Sequence, residues 1–312
     1  MRVLMVPHLS LWQSKNDESG IRRVVEAYFR HLPQFGIELV ARNATDYDLV
    51  AAHAGMGTGR VDVCMNHGLY WTADYKAAAW EFQSNADVIA TIRHAKEVTV
   101  PSSWVAETFQ RDMHLSPHVI PHGVDWDEWQ HSLPNGGYVL WNKNRTADVC
   151  NTDALGYLCQ AFPQQLFLST YSPKSAAPNL KTTGLVPHAE MKRMVQQAGL
   201  YLSTTKETFG IGVLEAMAAG TPVLAVAHGG NLDLVQHGVN GYLAQVDNLE
   251  DLAQGLSYCL EHRRILGENG RELAKQWTWE AACQKVAEVY RLALIKDERP
   301  MKIDPATYRI ET

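Results

Sequence analysis

Short runs of uninterrupted apolar residues alternate along this chain with longer stretches whose apolar residues recur every third or fourth position. Runs at 3–6, 37–40, 49–52, 61–66 and 97–101 have the length and continuity of strands buried on both faces, which is how parallel sheets read. Between the first two, Ile21, Val24, Val25, Tyr28 and Leu32 mark one face of a helix, and Gly36 supplies its stop. Together they predict a βαβ unit with a right-handed crossover. A long helical region is expected over 71–92, where Trp71, Tyr75 and Trp80 are either core aromatics or surfaces for stacking a sugar ring. Ser102 and Ser103 open a helix to about 113, and the polar Pro/Gly run 131–137 reads as a hinge. Beyond it the alternation resumes, with strands at 138–141, 166–169, 200–203 and 223–227 and helices near 153–162, 187–198 and 211–219. The fold class is α/β, with the second half doubly wound like the first.

One junction carries chemistry. Strand 200–203 leads through a loop into helix 211–219, which Gly220 and Pro222 end. A helix start of this kind leaves backbone N–H groups unpaired at the positive end of the helix dipole, and phosphate binds there readily. Gly210 and Gly212 allow close backbone approach to a ligand, and the carboxylates of Glu207 and Glu215 stand eight residues apart. Were the whole interval helical, about 12 Å would separate them, comparable to a nucleotide sugar. Solvated glutamates beside a tight turn are the plainer reading of the same residues.

The segment Glu207-Thr208-Phe209-Gly210…Glu215-Ala-Met-Ala-Ala-Gly-Thr-Pro-Val resembles the E-x7-E signature of retaining, family 4 type glycosyltransferases of the GT-B fold. That resemblance implies two Rossmann-like halves facing a cleft, an acceptor side at 1–135 and a donor side at 136–293, with a tail 294–312 returning to the first half. It implies that Glu207 and the N–H groups around Thr208, Phe209, Gly210 and Ile211 hold the donor sugar, and that Glu215 holds the ribose. Ser19-Gly20 resembles the family's glycine loop by the diphosphate. His67-Gly68 resembles its strand-end histidine beside the sugar. Val119-Ile-Pro-His-Gly-Val-Asp125 is similar to the motif closing the first half, and Trp277 to Tyr290 to the segment that crosses back. The family's phosphate-binding arginine carries to Arg145, but the lysine expected five residues on is Cys150; Lys143 is a substitute by proximity alone. The implied activity is sugar transfer from a nucleotide-diphosphate sugar to a hydroxyl, without a metal or other cofactor. The alternatives are a nucleotide-sugar-binding protein lacking catalysis, a 2-epimerase, and a DNA-base glycosyltransferase.

Charge bears on the last. Residues 1–135 hold 11 Lys+Arg against 16 Asp+Glu, no basic surplus for a nucleic-acid backbone, so a small molecule, glycan or lipid glycan is the favoured acceptor. Gly55, Gly57 and Gly59 lack the dinucleotide spacing and precede a strand, which removes the dehydrogenase reading. His114, His118 and His122 have metal-ligand spacing only on a helix, which Pro117 and Pro121 forbid. Five scattered cysteines argue for free thiols in a reducing cytoplasm, and no apolar run reaches transmembrane length.

Overall fold

The computed structural model describes residues 1–11, 20–41, 43–55, 59–70, 78–130, 135–143, 148–171 and 177–295. Two six-stranded sheets, parallel throughout, share the chain. The first is built from β1 (Arg2–Val6), β2 (Glu38–Val40), β3 (Leu49–His53), β4 (Val63–Met65), β5 (Glu97–Val100) and β6 (His118–Val119), in the order β2-β1-β3-β4-β5-β6. Its helices are α1 (Gly20–His31), α2 (Ala79–His94), α3 (Ser103–Met113) and α4 (Trp126–Trp129). The expected β1-α1-β2 unit forms, and Gly36 turns the chain at φ +75°.

The second sheet holds β7 (Tyr138–Trp141), β8 (Leu166–Ser169), β9 (Leu180–Thr182), β10 (Leu200–Ser203), β11 (Val223–Val226) and β12 (Gly241–Ala244), ordered β12-β11-β10-β7-β8-β9. Around it lie α5 (Thr152–Ala161), α6 (His188–Gln197), α7 (Ile211–Ala219), α8 (Asn231–Leu234), α9 (Leu249–Glu261) and α10 (Arg263–Ala274). Every residue of α7 from Val213 to Ala219 is buried, so the helix is enclosed all round rather than striped, with Glu215 its one charged residue. Its small side chains let α10 approach closely: Gly267 lies against the Gly220 carbonyl and Gly270 against Met217.

The last helix, α11 (Trp279–Ile295), leaves the second half. Trp279, Cys283, Val286 and Tyr290 share a core with Val3, Met5 and Leu49 of the first sheet and Val25 of α1. The crossing is pinned where the Val124 N–H donates to the Trp277 carbonyl (2.9 Å) and Gly123 lies flat against Thr278 and Trp279.

Two expectations are corrected. The helix expected over 71–92 runs from Ala79 to His94; Ala78 is extended, and Trp71 and Tyr75 fall outside the described residues. Trp80 is no core aromatic, being 58% exposed. The helix expected over 211–219 forms as α7, so the interval from Glu207 to Glu215 is loop before Ile211 and helix after it. Strand β9, with two exposed residues of three, was not foreseen because it lacks an apolar run. Residues 118–119 are strand, and no helix forms across the flanking prolines.

Candidate functional site

The second sheet reverses its strand order between β7 and β10, and ligands of open α/β sheets bind beyond the carboxyl ends of the strands at such a reversal. Lys143 follows β7 and Glu207 follows β10, so topology brings together residues 64 positions apart. The Lys143 ammonium donates to Glu207 Oε1 at 2.6 Å, both side chains being largely buried. Burial alone works against the Lys143 charge, but the Glu207 carboxylate outweighs it and holds the pKa above its ordinary value. Cys150, where the resemblance leads one to expect a lysine, is fully buried in the apolar core of the second half.

The loop 204–210 is held from behind. The Gly230 N–H donates to the Glu207 carbonyl (2.9 Å), and a Cβ at Gly229 or Gly230 would strike the backbone of Glu207 or Phe209. Buried Asn231 braces the same loop, donating from Nδ2 to the carbonyls of Val226 (3.0 Å) and Thr205 (3.4 Å). Gly210 caps α7 at φ +99°, where a side chain would be strained. Gly212 departs from expectation: the Tyr201 hydroxyl, which donates to Asn142 Oδ1 (2.7 Å), fills the place of its Cβ, so internal packing and not ligand approach requires that glycine.

The first half meets this loop directly. The Ser102 hydroxyl donates to the Thr208 carbonyl (2.6 Å), and the Ser103 N–H at the start of α3 donates to Asp233 Oδ2 (2.8 Å). Burial raises the Asp233 pKa, and the hydrogen bond from Ser103 offsets part of that rise. Gly68, at φ +104°, lies against the Thr208 methyl, and His122 meets the Phe209 ring edge-on with centroids 5.1 Å apart. Buried Glu215 is ion-paired with Arg23 of α1, across the two halves. It lines a cavity of about 320 Å³ with Arg22, Arg23, Asp125, Glu128 and His188, a size at the lower end of ligand clefts.

His67 follows β4, partly exposed, with its Nε2 2.9 Å from Nδ1 of buried His53 at the end of β3. The rings of His67 and His122 lie 5.6 Å apart. Burial pushes His67 down to about 4, and burial with neighbouring imidazoles pushes His53 and His122 well below the usual histidine value. Gly20 is the first residue of α1, and a Cβ there would meet open space. Ser19 and Arg145 lie outside the described residues. Sequence reading missed two residues of this neighbourhood. Arg23 sits on the polar side of the α1 stripe, where nothing marks a partner from the other half. His53 was passed over because its strand was ended at Ala52, although the strand-end position that singled out His67 applies to it equally.

Comparison with known proteins bears on both halves. Residues 5–128 match the family described as Glycosyltransferase Family 4, and residues 174–277 match Glycosyl transferases group 1. An uncharacterized glycosyltransferase of Methanocaldococcus jannaschii, MJ1178, is 37% identical over 94 residues, 29% of this chain and 27% of that protein. The chain thus matches less than a third of the length of the curated relatives first in similarity. Solved structures cover far more: HepE of Anabaena in complex with UDP-glucose superimposes with a TM-score of 0.72 at 17% identity, over 94% of this chain and all of that one. Sucrose-phosphate synthase of Thermosynechococcus elongatus gives the same score and identity over 93% and 98%. With two parallel six-stranded sheets, glycosyltransferase matches in each half and neighbours of this architecture, the chain belongs to the GT-B glycosyltransferases, Family 4 in its first half and group 1 in its second.

Proposed function

We propose that the chain is a retaining glycosyltransferase that moves a sugar from a nucleoside-diphosphate sugar to an acceptor hydroxyl. The observation that carries this reading is the Lys143–Glu207 pair, set at the strand reversal of the second sheet in a loop that the first half touches. Glu207 and the N–H groups opening α7 hold sugar hydroxyls; Glu215 receives the ribose beside Arg23. Lys143, Arg145 and the backbone near Ser19 and Gly20 meet the diphosphate, where negative charge develops as the glycosidic bond breaks. These cations take the part a metal plays elsewhere, so the reaction is metal-independent. The leaving phosphate takes the acceptor's proton on the face of the sugar it vacates, and the protein contributes orientation and charge stabilisation.

In this reading 1–135 forms the acceptor side and 136–293 the donor side, except that α11 completes the first core. The acceptor is a small molecule, glycan or lipid glycan. No helix among the described residues is long and apolar enough to cross a membrane, and the five cysteines are free and buried, which suits a reducing cytoplasm.

A second reading has one observation in its favour. Cys150 removes a family cation, and Lys143 already shares its charge with Glu207, so the site could bind a nucleotide sugar without turning it over. A melting-temperature panel of UDP-, GDP-, ADP- and dTDP-sugars, starting from UDP-glucose because HepE was solved with it, identifies the donor. Release of nucleotide and free sugar is then followed with and without candidate acceptors. Glu207→Gln should lower turnover about 100-fold, the scale of one lost charge-stabilising group, while nucleotide affinity stays within twofold. Full turnover by that variant sinks the proposal; donor binding with no turnover by the natural chain favours the second reading.

A further inference from the structure

Three imidazoles gather at the carboxyl edge of the first sheet, and only His67 has been given a part to play. Buried His53 touches two groups through its two nitrogens. Its Nε2 lies 3.1 Å from Met5 Sδ of β1, and its Nδ1 lies 2.9 Å from His67 Nε2. The His53 and His67 planes are nearly parallel (12°) with centroids 5.2 Å apart. The N···N distance and the two ring radii together nearly fill that separation, so the rings meet edge to edge along a hydrogen bond.

A thioether sulfur carries no proton and can only accept. The contact to Met5 is therefore made by His53 Nε2–H, and a neutral His53 then has a bare Nδ1. A bare nitrogen facing His67 Nε2 requires the proton of that bond to sit on His67. His67, neutral at physiological pH because burial pushes it down to about 4, is left with an unprotonated Nδ1. Among the described residues no carboxylate takes part in this arrangement. The groups around it are Met5 from β1, Tyr28 from α1 (ring centroids 5.8 Å from His53), and His122 following β6. His67 is partly exposed, and its neighbour Gly68 lies against Thr208 of the opposite half.

We propose that Met5 and His53 lock His67 in the Nε2–H tautomer, so that its Nδ1 is a fixed hydrogen-bond acceptor for a hydroxyl of the donor sugar. His53 is thus a positioning residue, acting through His67 rather than on the ligand. The role given to Nδ1 rests on the function proposed above, but the tautomer does not. Chemically this distinguishes His67 from a general acid. It offers a lone pair to a sugar hydroxyl and has no proton to give on that side.

The test separates the two layers. In protein labelled with 15N-histidine, with His67 assigned by comparison with His67→Gln, long-range 15N–1H correlations at pH 7.5 should show the Nε2–H form alone. A dominant Nδ1–H form overturns the proposal. His53→Leu fills similar space without an acceptor, and there His67 should become a tautomer mixture. His53→Asn restores an acceptor, Oδ1, on the atom next to Cγ, and should return the single Nε2–H form. An unchanged spectrum in His53→Leu overturns the positioning role even where the natural chain is Nε2–H. In UDP release from UDP-glucose, kcat of His53→Leu should fall about 5- to 10-fold, the worth of one hydrogen bond, with little change in KM, and His53→Asn should recover most of it. Equal losses in both variants mean a packing effect and overturn the role. If the natural chain releases no nucleotide from any donor of the panel, the functional reading fails while the spectra still decide the tautomer.

Discussion

His53 and His122 are 0% and 7% exposed, and each is held neutral by burial and by adjacent imidazoles. The sign of the effect on stability follows. Unfolded, both take up protons as pH falls through about 6.5; folded, they do not. Their contribution is therefore fully present above that pH and is lost progressively below it, at up to about 1.4 kcal/mol per pH unit for each histidine. Urea unfolding at pH 7.5 and 5.5 should show this loss, and His122→Gln should reduce it by one histidine's share; identical pH dependence in the two proteins rejects the account. At this scale the sequence was informative where a residue's role depends on its neighbours in the chain. Lys143 was suspected because it lies near Arg145 in the chain; the structure adds its contact with Glu207, and its part at the diphosphate stays a proposal. Arg23 was illegible because its partner, Glu215, is supplied by another element, whereas His53 was passed over because its strand was ended one residue early.

Between elements, what shapes the loop ahead of α7 is the Gly229-Gly230 turn preceding α8. A Cβ on Gly230 would meet the Phe209 carbonyl, Cα and carbonyl carbon, all backbone and unable to swing aside. Gly230→Ala should accordingly lower stability by about 1–3 kcal/mol and abolish donor-induced gains in melting temperature, since the loop carrying Glu207 moves with Phe209. A variant that keeps both properties would show that the loop is braced elsewhere. Most elements were legible because apolar runs and stop residues are local signals: β7, β8, β10, α7 and β11 fall within a residue of expectation. Misreadings came where the local signal was weak or ambiguous. Exposed β9 has no apolar run, and Ala78 at the start of α2 offers no capping side chain of its own, the cap coming from Glu81, which accepts from the Ala78 N–H (2.6 Å).

Across the whole molecule the two halves are joined by paired charge as well as by chain crossings. Glu215 is buried and Arg23 only partly exposed, so removing the cation leaves a carboxylate without a partner in a poorly hydrated place. Arg23→Met should lower stability by about 1–3 kcal/mol, below the range for fully buried pairs because Arg23 keeps some contact with water. Glu215→Gln added to it should restore most of the loss, measured as the shift in urea midpoint; a double variant as weak as the single rejects the pairing as a structural contact. The two-sheet architecture was legible from the resemblance of the signature and from the alternation of runs. The place where the chain returns was only partly so: the similarity of Trp277 to Tyr290 pointed to it, whereas the tail expected to do the packing begins after most of α11 is spent.

That return orders events during synthesis. Because Trp279, Val286 and Tyr290 fill the core beneath β1 and β3, a ribosome that has released the first 135 residues has released a sheet with an apolar face still open. The face is covered only after the entire donor half has emerged, so the amino-terminal half is the first to be made and the last to be finished, and a nascent chain halted midway presents that bare surface to whatever chaperone is at hand.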